Sequence, residues 1–526
     1  MQDTRPYDGL LEFEVTRKQF PVVVAGGGIA GMYTALKLGE AGKQVILLEV
    51  SPDRWGGRIE TTELDGFTAE FGPMRFEPEL QPNFNRLMQD LGIEYLDFTG
   101  PVAEEIDYPK YDLLPKERNL SSLELLRRGI MLIMGKDPGD QAWIDSLKEE
   151  DYHRFRKVCK LQGKPLWEWG LWNALSSENI LGHQALMKIR DTGTFYHLIP
   201  DNPNAIEWII WWLRAMKTVG QQLVTIKGGS GRIIKQLMER LKQCRNIRMI
   251  SGTRLLSFQD SREYSGTVEF LVQSGKRRLK GFAENLVLAM PRFPLKELAG
   301  SLPRNVASRL DSVNGFPMVK VFFVTKKPWW DRKQVPQQNA NRMPTREVHY
   351  FRREEGADDD GHGMAMIYTD RPASEYWKVY VKDSETHDRA EIGANPELIH
   401  QFARWIAEEL RIALCEESRP AGYLKLNKEA RETFTGKTLL ETEQMILDSV
   451  VTYGIRDWSR GPYGGANHCW NPRIKSWEVT SLFKAFSLSH EGPLNVHICG
   501  EAYSHYQGFI EGSLLSADLA LETMLY

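Results

Sequence analysis

The stretch VVVAGGGIAGMYTALKLGEAGKQVILLEV, Val22 to Val50, constrains the fold more than any other part of the chain. A continuous apolar run ends at Ala25 in a cluster of glycines, a helical pattern follows, and a second apolar run closes on Glu49. In this order the segments read as one βαβ unit. Gly26, Gly28 and Gly31 fit G-x-G-x-x-G, and each has its own physical duty. The first makes the tight turn out of the strand, the second lets backbone approach a pyrophosphate, and the third lets the helix lie close on the sheet. The helix N-terminus then faces phosphate. Glu49, about 20 residues beyond the glycines, is placed to accept the hydroxyls of an adenosine ribose and to repel a 2′-phosphate. A bound dinucleotide is expected.

Just downstream lies DRWGGRIETTELDGFTAEFGPMRF, Asp53 to Phe76. Arg54, Gly56, Gly57 and Arg58 form R-x-G-G-R, a spacing that suits backbone running against a pyrophosphate with a guanidinium clamping it. These residues resemble the second fingerprint of the flavin amine oxidases, and FGPMRF (Phe71 to Phe76) is similar to their L-amino-acid oxidase branch. At the other end of the chain, NVHICGEAYSHYQGFIEGSLLSADLALETML (Asn495 to Leu525) resembles the family's C-terminal flavin segment, with an apolar strand, the pair Gly500-Glu501 and a helix. The resemblance implies FAD as the cofactor. Its expected contacts are Gly26, Gly28, Gly31, Glu49, Arg54, Gly57, Arg58, Met74, Gly500 and Glu501.

A chain of 526 residues is too long for one core and suggests two or three domains. The expected fold class is α/β. A discontinuous Rossmann-like FAD-binding domain (1–76, 225–310 and 480–526) is joined by a mixed-sheet substrate-binding domain (77–130 and 311–479) and a helical domain (131–224). Basic and acidic side chains nearly cancel, 67 against 70, which leaves no basic field for nucleic acid. The most apolar short run, AIEWIIWWLRAM (Ala205 to Met216), falls short of the ~20 residues of a membrane span and reads as a buried helix. The N-terminal residues lack the pattern of a signal peptide, and five widely spaced cysteines without C-x-x-C read as reduced core residues. A cytoplasmic protein with no metal site and no membrane partner is expected, with self-association into a homo-oligomer left open. The acidic stretch REEGADDDGHG (Arg353 to Gly363) reads as a solvated hairpin tip.

Flavin chemistry on an amine needs orientation and electrostatics more than a catalytic triad. By the resemblance, Arg75 in GPMR receives a substrate carboxylate, for which the guanidinium fork is suited. Tyr376 resembles a second carboxylate contact, with Trp377 as the alternative. Lys320, a charged side chain inside the apolar strand PMVKVFFV, resembles the family lysine that holds a water against the flavin and assists reoxidation. Trp470 and Phe509 resemble walls of the aromatic cage, and no histidine is assigned a catalytic role.

The reaction so implied is oxidative deamination of L-amino acids by O2 to 2-oxo acids, ammonia and H2O2. Large neutral side chains are preferred, and Glu168 and Asp201 become relevant for a charged one. An amino-acid 2-monooxygenase, a monoamine or polyamine oxidase and a non-catalytic flavin- or NAD-binding protein are the alternatives. FAD is expected to be held without a covalent bond, because Ala466 stands where monoamine oxidases carry the linking cysteine and Cys469 lies three residues further on.

Overall fold

The computed structural model describes residues 8–10, 20–98, 111–192, 202–217, 222–331, 337–340, 344–351, 353, 361–382, 388–414 and 426–525. Most of the acidic stretch, together with Asp201 and Cys415, lies outside them.

A five-stranded parallel sheet organises the first layer, in the order Ile247–Ile250, Val45–Leu48, Val22–Ala25, Asn285–Leu288 and Val496–Ile498. Its strands are short and apolar throughout because both faces are covered. Val22, Val24, Val45 and Leu47 point into a core shared with helices Ile29–Glu40, Pro82–Asp90, Gly231–Gln243 and Ile510–Leu525. Their alternates Val23, Ala25, Ile46 and Leu48 point into the opposite core, under the strands Thr253–Asp260, Val268–Ser274 and Arg277–Ala283. The expected α/β nucleotide-binding fold, assembled from distant pieces of the chain, is present.

The second layer is a six-stranded sheet in the order Gln337–Ala340, Glu347–Phe351, Gly363–Thr369, Val319–Thr325, Val450–Asp457 and Glu391–Ile392. Every pairing in it is antiparallel, which refines the expected mixed sheet. All seven residues of the central strand Val319–Thr325 are buried, and the period of two divides them between faces. Val319, Val321 and Phe323 pack on the long helix Pro396–Leu414 through Phe402, Ile406 and Leu410. Phe322 and Val324 face Leu64, Phe67, Ala69 and Phe71, so this near face of the sheet docks on the hairpin Thr61–Glu70 of the nucleotide-binding layer. Lys320 shares that face.

A third layer is helical. The buried helix Ala205–Ala215 is its centre, with Ser122–Ile133, Leu171–Leu175 and His183–Thr192 packed around it, so the helical core begins before residue 131. Trp208, Ile209, Trp212 and Leu213 are buried there, and no described helix is long and apolar enough to cross a membrane.

Candidate active site

The glycine loop fits a nucleotide by the space it leaves. At Gly26 the backbone has φ +119°, and an added Cβ would meet the Ala289 carbonyl oxygen at 2.3 Å. At Gly31 it would meet the Gly26 oxygen at 1.9 Å. These two glycines are therefore required by the protein's own packing. Gly28 differs: a Cβ there would meet only the Gly57 Cα, at 3.9 Å, so the space above it is open to a ligand. Gly28 caps helix Ile29–Glu40 without a side-chain hydrogen bond, which leaves the first-turn amides to an anion. Glu49 is buried and takes the Gly27 and Ser51 amides at 2.8 Å each; burial raises its carboxyl above the usual range, and these bonds oppose the rise.

The second fingerprint folds onto the same loop. Gly56 and Gly57 have φ +107° and +60°, and Gly56 bridges to Gly28. Arg54 donates to the carbonyls of Asp388 and Ile59 and to Tyr463, bracing the turn against the second layer. Arg58 meets Glu501 at 2.5 Å and the Ala466 carbonyl at 2.9 Å. His468 Nδ1 also lies 2.6 Å from Glu501, and the Gly508 amide donates to it at 3.1 Å. Burial pushes the Glu501 carboxyl up, but Arg58 and His468 outweigh it and hold the group well below the usual carboxylate range. The resulting cluster joins both ends of the chain at Gly500, whose φ is +135°.

Lys320 is 3% exposed in an otherwise apolar strand, so it must be partnered. Nζ donates to the carbonyl oxygens of Glu70 (2.9 Å) and Gly72 (2.5 Å) and lies 4.8 Å from the Tyr368 ring centre. Burial lowers its basicity well below that of an ordinary lysine, against the pull of the Glu70 charge. Register explains its neighbours: Glu347 lies opposite Tyr368, Tyr368 opposite Lys320, and Lys320 opposite Arg456. These four polar side chains form a row across four strands on the face that meets residues 70–75.

Arg75 reaches the same row, with Nη2 4.0 Å from Glu347, while His349 Nε2 lies 2.7 Å from the same carboxylate oxygen. Burial raises the Glu347 carboxyl, but His349 and Arg75 outweigh it and keep it ionised. Glu77 stands near as well. Burial raises it to about 7, and Arg75 opposes the rise. Met74 is buried beside Phe322 and Met366, one residue from Arg75.

The structure brings Arg75 and Lys320 together, but it corrects the expected aromatic contacts. Tyr376 and Trp377 lie in a short helix, Ala373–Lys378, packed in the far-face core with Trp405, and Trp377 Nε1 donates to the Pro344 carbonyl. Val319 and Val321 belong to that core, so neither aromatic shares the face of Lys320; a tyrosine that does is Tyr368, directly opposite it in register. Trp470 and Phe509, the expected cage walls, pack against different neighbours. The Trp470 ring is fully buried near Tyr503 and donates to the Ser504 carbonyl, whereas Phe509 stacks on Trp211 at 6.0 Å. Glu347, His349 and Tyr368 were missed. The available signal was the alternation in EVHYF, which puts Glu347 and His349 on one face of a buried strand.

The sequence profile of flavin-containing amine oxidoreductases matches residues 29–394. Aplysianin-A of Aplysia kurodai is 21% identical over 95% of this chain and 89% of its own. An L-amino-acid oxidase of Pseudechis australis is 32% identical over 22% of this chain, and that match covers 25% of the relative. An L-amino-acid oxidase of Mus musculus is 40% identical over 16% of this chain and 13% of its own. Among solved structures, wild-type putrescine oxidase bound to putrescine superposes with a TM-score of 0.63 at 15% identity, covering 97% of this chain and 99% of that one. With the glycine loop and the second fingerprint on one nucleotide-binding scaffold, the buried lysine on the sheet docked against it, and a profile match across most of its length, the chain belongs to the flavin-containing amine oxidoreductases.

Proposed function

We propose that the protein is an L-amino-acid oxidase that holds FAD without a covalent bond. The observation that carries this reading is Arg75. Its guanidinium is 26% exposed and projects from the segment whose carbonyls receive Lys320, where one cation can orient a carboxylated amine. When bound, FAD supplies hydride acceptance from the substrate Cα and passes the electrons to O2.

The chain's own residues divide the remaining work. Arg75 fixes the substrate carboxylate, with Glu347 and Glu77 balancing its charge. Lys320, weakly basic through burial, holds a water at Nζ. The first-turn amides of helix Ile29–Glu40 take the pyrophosphate, and Glu49 the ribose. Non-covalent binding is supported by Cys469, which is 1% exposed and packs in the helical core, while its neighbour His468 turns to Glu501.

A second reading, oxidation of a diamine, draws on Glu347 and Glu77 as carboxyl groups able to receive a distal ammonium and on the likeness to putrescine oxidase. A peroxide assay over the common L-amino acids, their decarboxylated amines and putrescine separates the two. Peroxide with neutral L-amino acids, accompanied by ammonia and a 2-oxo acid, is expected. Peroxide with amines alone would overturn the first reading in favour of the second.

A further inference from the structure

A cluster of buried polar side chains lies between the helical layer and the C-terminal flavin loop, and none of its residues takes part in the chemistry above. Helix Glu149–Val158 places Glu149, Tyr152 and Arg156 on one face, spaced by three and four residues. That face meets helix Ala205–Ala215 through two ion pairs. Arg156 Nε donates to both oxygens of Glu207 at 2.9 and 3.1 Å, and Arg214 donates to those of Glu149 at 3.1 and 2.6 Å. Such cross-pairing makes the helices antiparallel, with Tyr152 between the pairs and its ring 4.7 Å from the Arg214 guanidinium.

The loop after Gly500 packs on the third side. Arg214 Nη1 donates to the His505 carbonyl at 3.2 Å, the Tyr506 ring lies 5.0 Å from Arg214, and the His505 ring lies 5.8 Å from that of His153. Ser476 donates to Glu207 from the side.

Four polar atoms in this region are buried and have no hydrogen-bond partner among the described residues: Nη1 and Nη2 of Arg156, the Tyr152 hydroxyl and His505 Nδ1. Arg156 and Tyr152 are each 1% exposed. Because Glu207 engages only Nε, Arg156 retains four N–H donors on its two Nη atoms, and a guanidinium cannot shed its charge. Charge is unbalanced in the same sense. Arg156 and Arg214 are buried with a single buried carboxylate, Glu207, while Glu149 is 66% exposed and screened by solvent. Burial and the nearby Arg156 keep the His505 imidazole neutral, so Nδ1 is a donor in one tautomer.

We propose that this cluster is a binding site for a small monovalent inorganic anion of the halide class, held by Arg156 Nη1 and Nη2, the Tyr152 hydroxyl and the His505 Nδ1–H. The ion neutralises the one excess buried charge, which a divalent anion would overcompensate. It also ties helix Glu149–Val158, which is ion-paired to helix Ala205–Ala215, to the loop that carries Phe509, and Phe509 stacks on Trp211 of the latter helix.

The test is thermal unfolding of the flavin-loaded protein in sodium chloride and in sodium gluconate at equal ionic strength, since gluconate is too large to enter. Chloride is expected to raise Tm along a saturating curve that gluconate does not reproduce. Tyr152→Phe, which removes only a hydroxyl, is expected to raise the half-saturating chloride concentration about tenfold. Arg156→Met is expected to abolish the chloride effect; should that variant fail to fold, Tyr152→Phe decides. Crystals soaked in bromide should show an anomalous peak at the Arg156 Nη atoms. Equal Tm curves in the two salts, or a chloride effect that Tyr152→Phe leaves unchanged, would overturn the proposal, as would a bromide-soaked crystal without that peak.

Discussion

Arg75 is the residue on which substrate class turns. Truncating one side of a buried charge-assisted carboxylate pair costs about 2 to 5 kcal/mol. Arg75→Ala is therefore expected to lower kcat/KM for L-amino acids roughly 30-fold or more while sparing their decarboxylated amines; equal losses on both would remove Arg75 from the carboxylate site. Glu77 adds a pH dependence. Raised to about 7 by burial, it is neutral below that pH and anionic above it, where it competes with the substrate for Arg75. KM for amino acids should rise between pH 6 and 8, with Glu77→Gln flattening the profile. Lys320→Met leaves the Glu70 and Gly72 carbonyls without their donor, a loss of about 1 to 3 kcal/mol in stability. Stopped-flow traces should show its flavin reduced by substrate at a near-normal rate and reoxidised slowly. Arg75 and Lys320 were legible in the sequence because each sits in a short distinctive segment. Glu347 was not, since its partner Arg75 is 272 residues away and only strand register unites them.

Elements follow the same division between local and distant information. The βαβ unit was readable because its glycines, helix and terminal acid lie within 30 residues, and the structure shows why each glycine is there. Gly28→Ala has room for its methyl group in the protein, so the apo form should keep its stability within about 0.5 kcal/mol. Its flavin content after gel filtration should fall, because the methyl occupies the ligand's space. Gly31→Ala drives its methyl against the Gly26 carbonyl and should cost the apo form about 1 to 3 kcal/mol as well. Two variants with equal apo stability would contradict this separation. Tyr376 was misread for the opposite reason: nothing in TDRPASEYW reveals that residues 373–378 coil into a helix on the far side of the sheet.

At the scale of the molecule, the chain crosses between layers repeatedly, and Glu501 is where the ends meet. Its carboxyl is held below its unfolded value, so the unfolded chain binds the extra proton as pH falls. The contribution is complete above the ordinary glutamate range near 4.3 and is lost as pH falls below it toward the depressed folded value. Glu501→Gln should flatten the acid limb of stability against pH, measured by urea unfolding between pH 3 and 6, and an unchanged slope would remove Glu501 from that role. The three layers could be anticipated in outline from alternating apolar strands and helical stretches, whereas the near-face contact that brings residues 70–75 onto Lys320 could not. That contact defines the central claim, that the site selects a carboxylated amine. The most direct measurement is anaerobic bleaching of the flavin by L-phenylalanine and by 2-phenylethylamine, in the natural protein and in Arg75→Ala. Rapid bleaching by the amino acid alone, lost in the variant, is expected; faster bleaching by the amine in the natural protein would contradict selection of a carboxylated amine.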